Sequence, residues 1–377
     1  MRIDLSEEQA LFQETVRRFV ETETPVSRVR EIGENPDGFD HDWWRQAAEL
    51  GWTSLLVPED LGGGSISGDG VADLAIVAEE VGRGVAPGPL LPVNVVAASV
   101  ARSGSTDQQT EILPGLLDGR LIGAWCYHEP SGGWWPEDVG LEAELVDGGF
   151  RLEGTKQAVE GAVQAHYLLV TARVDGALTQ FLVPADSEGI RIVPQQSLDL
   201  VRRFGEVHFD GVDVGPDCLL GQVGGAIDDV RYQFHIALLL QAAEMAGASG
   251  RVFEFTLEYS FDRFSFGRPL ASYQALKHRF ADMKLWLETG YATTDQAAIG
   301  VSRGDDAARL ASVAKSYVGD RSVEIIQDCV QMHGGIGVTW EHDIHLYLRR
   351  AAVDRELFGS PEDHLGYLGS IVDAEGV

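Results

Sequence analysis

The sequence predicts an α+β protein of three consecutive parts: an N-terminal helical domain, a central β domain and a C-terminal helical bundle. Three observations carry this prediction. Helical periodicity without any strand pattern runs as far as Gly119. Short β-favouring runs separated by Gly, Asp and Pro then fill Leu121 to Gly221. Long proline-free stretches with helical periodicity follow. A chain of 377 residues is too long for one compact core, and the predicted boundaries are 1–118, 119–221 and 222–377.

In the first part, Ser6 and Gln9 have capping-box spacing, and Leu5, Phe12, Val16, Phe19 and Val20 then share one helical face. A second helical pattern through Trp43, Ala47, Leu50 and Trp52 stops at the breaker Val57-Pro-Glu-Asp-Leu-Gly-Gly-Gly. Val71 to Val81 forms a third. Pro87, Pro89 and Pro92 mark a loop before the helical runs Asn94–Ser103 and Asp107–Leu117. In the middle part, Asp147-Gly-Gly is the strongest hairpin signal, and the turn spacing suggests an antiparallel barrel or sandwich. In the last part no proline falls between Pro216 and Pro269, or between Pro269 and Pro361. Leu276, Phe280, Met283, Leu287 and then Leu310, Val313, Ala314, Tyr317 recur at the spacing of long packed helices.

Charge narrows the function. With 29 Lys+Arg against 59 Asp+Glu, the net charge of −30 excludes a general nucleic-acid binder, which needs a basic face. It equally argues against docking on anionic lipid. Cys126, Cys218 and Cys329 are scattered and form no CxxC pair, as expected in a reducing compartment. Met1-Arg-Ile-Asp-Leu-Ser lacks a secretory h-region, and no apolar run approaches the ~20 residues of a membrane span, so the expected location is cytoplasmic.

Two motifs carry chemistry. Tyr259-Ser-Phe-Asp-Arg263-Phe-Ser265-Phe266-Gly-Arg-Pro269-Leu270 leaves a helix through a Gly/Pro turn, with Gln274 opening the next helix. An arginine fixed beside an exposed aromatic suits a diphosphate, because a guanidinium makes bidentate contacts. The plainer reading is a helical corner with a surface arginine. Gln331-Met-His333-Gly334-Gly335-Ile-Gly337 has glycines that let backbone approach a ligand closely, or simply cap a helix.

Taken together, the two motifs in this order resemble the acyl-CoA dehydrogenase flavoprotein family, and in particular subunits of its heteromeric members. The resemblance spans the chain: Leu5-Ser-Glu-Glu-Gln, Val57-Pro-Glu-Asp-Leu-Gly-Gly, Glu129-Pro130, Gly154-Thr-Lys156, Leu219-Leu-Gly221 and Arg349-Arg350 also match. It implies an FAD cofactor and an acyl-CoA or acyl-carrier thioester substrate. It also implies a homo- or hetero-oligomer in which the C-terminal domain reaches a neighbour's FAD. By resemblance, Arg263 falls on the diphosphate arginine, Ser265 on a hydroxyl position and Phe266 on the adenosine-side aromatic. Gln274 falls near the adenine, Gln331, Gly334 and Gly335 on the second diphosphate loop, and Glu129 on the start of the flavin-ring loop.

The ring contacts depart from the family pattern. Thr-Glu-Pro-x-Ala-Gly-Ser-Asp is replaced by His128-Glu129-Pro130-Ser131-Gly132-Gly133-Trp134-Trp135, and Lys-x-Trp-Ile-Thr by Lys156-Gln157-Ala158-Val159-Glu160. Trp134 or Trp135 offers a replacement stacking surface. The family's general base, the carboxylate of a Tyr-Glu-Gly-Thr run, is expected at Gly359 in Leu357-Phe-Gly359-Ser-Pro, and its alternative position at Ala237. Neither carries an acid. Glu244, in the apolar run Leu238–Gly247, shares a helical face with Ala237 and is the candidate catalytic base, the competing role being partner to a buried arginine. His333, His342 and His345 match no common zinc spacing, so no metal is expected. Three functions are therefore expected in turn: a divergent dehydrogenase using Glu244, a half-site subunit of a heteromeric dehydrogenase, or a flavin monooxygenase on the same fold.

Overall fold

The computed structural model describes residues 5–376, so Met1 to Asp4, part of the segment read for a leader, lie outside the described residues. Ser6 opens α1 (Glu7–Glu23): its hydroxyl accepts from the Gln9 N–H and its own N–H donates to the Gln9 side chain, both at 3.2 Å. The buried stripe Phe12, Val16 and Val20 faces the domain core. Next come α2 (Val29–Gly33), α3 (His41–Glu49), α4 (Gly70–Gly84), α5 (Leu90–Ser103), α6 (Thr106–Glu111) and α7 (Leu113–Leu117). Helix α5 begins at Leu90, before the predicted Asn94. Pro92 sits in its first turn, where a missing N–H costs no helical bond.

The β domain holds two four-stranded sheets. One runs in the order β1 (Gly123–Cys126), β4 (Tyr167–Val174), β5 (Ala177–Pro184), β8 (Leu219–Leu220). The other runs β2 (Ala143–Val146), β3 (Gly149–Glu160), β7 (Phe204–Val214), β6 (Ile190–Gln195). Inward residues of both sheets form their own core, in which Phe150 and Phe181 meet edge to face at 5.0 Å. The Asp147-Gly148 turn makes the β2–β3 hairpin, as its sequence predicts. The antiparallel expectation fails at one pair: β1 lies parallel to β4, because the chain visits the other sheet through β2 and β3 between them.

The bundle is built on α8 (Ile227–Asp262), α9 (Gln274–Arg303) and α10 (Ala307–His333), closed by α11 (Ile344–Glu356) and α12 (Pro361–Glu375). Helices α4 and α8 cross at reciprocal glycines. A Cβ on Gly82 would lie 1.9 Å from the Glu244 carbonyl oxygen, and one on Gly247 would lie 2.0 Å from that of Glu79. That close crossing joins the first part to the last and fixes the height of Glu244 in the core. Among the described residues, no helix is long and apolar enough to cross a membrane.

Candidate active site

Arg263 follows the last turn of α8, and its guanidinium meets no carboxylate among the described residues. The next residues form a small hairpin of β9 (Phe264–Ser265) and β10 (Arg268–Pro269). Its two-residue turn is Phe266-Gly267, with φ of +49° and +80°, the primed geometry that suits hairpin twist. Phe266 is thereby held in a left-handed conformation and is 98% exposed. The Tyr273 hydroxyl donates to the Ser265 carbonyl at 2.6 Å, and Arg268 stacks 3.9 Å over the Tyr273 ring. Gln274 starts α9 with its side chain exposed. At the end of α10, Gln331, Gly334 and Gly335 are exposed, and neither glycine has a neighbour within 4 Å of a would-be Cβ. Stacked rings of Tyr259 and His333, 4.4 Å apart, set the two motifs side by side at one end of the bundle.

The ring-side loop looks different. Lys156, fully buried, donates to Glu129 Oε1 at 2.6 Å and to the Tyr127 carbonyl at 3.0 Å. Burial lowers the pKa of its ammonium, and the Glu129 carboxylate opposes that shift. The N–H groups of Gly140 (3.0 Å) and Leu141 (2.9 Å) also donate to the Glu129 carboxylate. Glu129 thus braces its own loop, accepting from Lys156 and from two backbone N–H groups. His128 stacks on Trp134 at 3.7 Å and 11°, and the Tyr127 hydroxyl donates to the Trp134 carbonyl. Burial lowers the His128 pKa, and its hydrogen bond to the Gly133 carbonyl opposes that shift.

From the opposite side comes Phe358. Matching glycine to glycine aligns Phe358, not Gly359, of the Leu357-Phe-Gly359-Ser run with the Glu of the resembled Tyr-Glu-Gly-Thr run. A Cβ on Gly359 (φ +102°) would lie 3.0 Å from His364 Nε2. Phe358 (φ +59°) instead turns its ring into the cleft, 5.5 Å from Trp125. His364 holds this turn by donating from Nε2 to the Phe358 carbonyl at 3.0 Å, while Nδ1 accepts from Ser312 at 3.1 Å. Burial brings the His364 pKa down to about 4. What remains between Leu91, Trp125, His128, Trp134, Ala158 and Phe358 is a cleft of about 20 Å³. Beyond Trp135 lies a larger cavity of about 350 Å³, floored by Phe234, His235 and Leu238 of α8 and rimmed by Arg231 and Tyr367.

Glu244 takes the plainer of its two predicted roles. Arg350 donates to its Oε1 and also to Asp199 and to the Ala86 carbonyl, the last at 3.1 Å. Arg202 donates to both oxygens of Glu160, at 2.9 and 2.5 Å, and to Asp354, and lies 3.6 Å from Glu244. Lys315 donates to Gln241 at 2.9 Å and to the Asp354 carbonyl. Glu244 therefore stands as the partner of a buried arginine, the competing role its sequence offers, with its carboxylate bound by Arg350 and buried in the core. Glu160, Asp199, Glu244 and Asp354 thus share the core with Arg202, Lys315 and Arg350, all of them buried. Burial pushes the Asp354 carboxyl up and the Lys315 ammonium down, so the two titrate as a coupled pair. Sequence reasoning missed Arg202, Lys315 and Asp354. The legible signal was Lys315, a lone cation in an apolar helical run as Glu244 is a lone acid.

A helical domain, a β sandwich and a helical bundle with these two motifs at its end define a flavoprotein-dehydrogenase architecture. Residues 6–120 match the acyl-CoA dehydrogenase N-terminal domain, and residues 227–370 match the acyl-CoA dehydrogenase C-terminal domain. Acyl-CoA dehydrogenase IpdE2 of Mycolicibacterium smegmatis is 32% identical, over 96% of this chain and 97% of its own. The chain belongs to the acyl-CoA dehydrogenase family. Among solved structures, the Tcur3481–Tcur3483 steroid ACAD aligns at TM-score 0.87 and 28% identity over 98% of both chains. Butyryl-CoA dehydrogenase from Megasphaera elsdenii has the same fold, with TM-score 0.90 at 24% identity over 99% of this chain and 100% of its own.

Proposed function

We propose that this chain is a half-site subunit of a heteromeric acyl-CoA dehydrogenase, supporting FAD whose ring lies in a partner chain's pocket. One observation carries the reading: the chain's own Phe358, Trp134 and His128 fill its ring-side cleft, leaving about 20 Å³, while the diphosphate-side residues stand exposed. An isoalloxazine ring does not fit that cleft. The diphosphate side does fit the cofactor's other half, since Arg263 has no competing carboxylate and Gly334 and Gly335 leave backbone approachable.

FAD, when bound, supplies the acceptor for the β-hydride of an acyl thioester. This chain's part is binding. Arg263, Gln331 and the backbone at Gly335 would hold the diphosphate, and Phe266 would offer an apolar face to the adenosine side. Ser265 and Gln274 border the same surface. No residue here takes the α-proton: Phe358, Gly359 and Ala237 have no carboxylate, and Glu244 is bound to Arg350. The base therefore comes from the partner, a second chain of the same fold. The acyl group we assign to the assembly is bulky, which the likeness to a steroid ACAD supports. We place the assembly in the cytoplasm, where free cysteines persist.

Purification of the chain alone, and with a candidate partner chain of the same fold, tests this by visible absorption. The expected result is a colourless chain alone and a flavin spectrum in the complex. A yellow homo-oligomer whose flavin is reduced by an acyl-CoA overturns the reading in favour of a self-sufficient dehydrogenase.

A further inference from the structure

The loop that carries Gly334 and Gly335 is bare on its outer side. The glycines have open space around them, and Ile336 and Val338 are exposed. It is held from behind, by a residue of the first part of the chain. Arg30, on α2, donates from Nε and Nη2 to the Trp340 carbonyl at 3.1 and 2.7 Å, and from Nη2 to the His342 carbonyl at 3.2 Å. Its Nη1 donates to Asp343 Oδ1 at 2.6 Å, and Nη2 lies 3.3 Å from His345 Nε2. The guanidinium also sits 5.5 Å from the Trp340 ring, whose other contacts are Arg349 at 5.7 Å and the stacked His345 ring at 4.8 Å.

Backbone carbonyls that converge on one guanidinium are fixed in position, not merely neutralised. Three forked donors on Trp340, His342 and Asp343 define where the segment after Val338 runs, and so where the turn Gly334–Val338 can lie. A lysine would keep the charge beside Asp343 but has no planar fork to span two carbonyls and a carboxylate. His342 adds to this frame, with Nδ1 accepting the Ile344 N–H at 3.1 Å and its ring 4.6 Å from His333. We infer that Arg30 is the positioning residue of the second diphosphate loop, coupling the N-terminal helical domain to cofactor binding at the far end of the bundle. This rests on the half-site reading, in which that loop receives FAD.

The test uses the complex with its partner chain and the variants Arg30→Gln and Arg30→Lys. Arg30→Gln should weaken FAD binding about tenfold, the loss expected for charge-assisted hydrogen bonds. Hydrogen exchange on the chain alone should show protection lost at 334–343 but kept along α8. Arg30→Lys should fail to restore either. Unchanged exchange or unchanged flavin affinity in Arg30→Gln overturns the inference, and full rescue by lysine reduces Arg30 to a simple counter-charge. A wild-type complex without flavin instead overturns the half-site reading, and the positioning role falls with it.

Discussion

The two halves of the cofactor surface have been treated in opposite ways. On the ring side, Lys156, Glu129 and the Tyr127 hydroxyl are paired within the chain, and the rings of Trp125, Tyr127, His128, Trp134 and Phe358 pack on one another. On the diphosphate side, Phe266 stands almost wholly in solvent, and Arg263 and Gln331 are exposed with open glycines beside them. A closed hydrophobic cluster gains its stability from the chain itself, whereas an exposed aromatic in a left-handed turn gains nothing until something covers it. The contrast teaches that a family frame can surrender one half of a shared site and keep the other. That is the pattern the half-site reading expects, in which the two halves serve different cofactor molecules.

The largest effect should come from the charged cluster that pins the ring side. Arg350→Met removes the guanidinium between Asp199 and Glu244, leaving two buried carboxylates facing each other. Breaking a buried pair from one side costs about 3–5 kcal/mol, readable as a fall in urea midpoint. Adding Glu244→Gln to Arg350→Met should recover part of that loss. If Arg350→Met costs under about 1 kcal/mol, the ring side is not held by this cluster and the contrast weakens.

Arg263→Ala probes the open side and should do the reverse. Its guanidinium meets no carboxylate among the described residues, so the stability of the isolated chain should stay within about 0.5 kcal/mol. In the complex, loss of a charge-assisted contact should lower FAD affinity by about one to two decades. Titration of the apo-complex with FAD measures it. Equal flavin affinity in wild type and variant would make Arg263 a surface residue and nothing more.

Much of this contrast was legible in the sequence, and the illegible part has a physical reason. Capping boxes, proline-free runs and the Asp147-Gly-Gly turn are local signals, and they produced the helical, β and helical parts in order. The residues proposed for the diphosphate could be singled out because they lie close together along two short stretches. Loss of the ring contacts was legible as missing residues. What replaced them was not, because Trp134 and Phe358 meet only through the fold, more than two hundred positions apart. Glu244 misled for the same reason. An acid in an apolar helix looks available until a guanidinium from α11 is known to lie against it. The parallel β1–β4 pair likewise depends on a crossover that no local pattern records.

The smallest effect tests the self-filling of the cleft most directly. The Trp134 indole is the flat surface stacked on His128, and such an aromatic pair contributes about 0.5–1.5 kcal/mol beyond its buried area. Trp134→Ala should therefore cost little in stability, since Lys156 and Glu129 still hold the loop. It should, however, free a planar slot beside Tyr127 and Phe358, whose rings lie 6.4 Å apart. Free lumiflavin, a ring without ribityl or phosphate, then becomes the right probe, because it depends on the ring side alone. Quenching of lumiflavin fluorescence by the variant but not by wild type would mean that the indole occupies the ring's place. Equal quenching by both proteins would mean that the aromatic cluster opens on its own, and the ring side would no longer differ in kind from the diphosphate side.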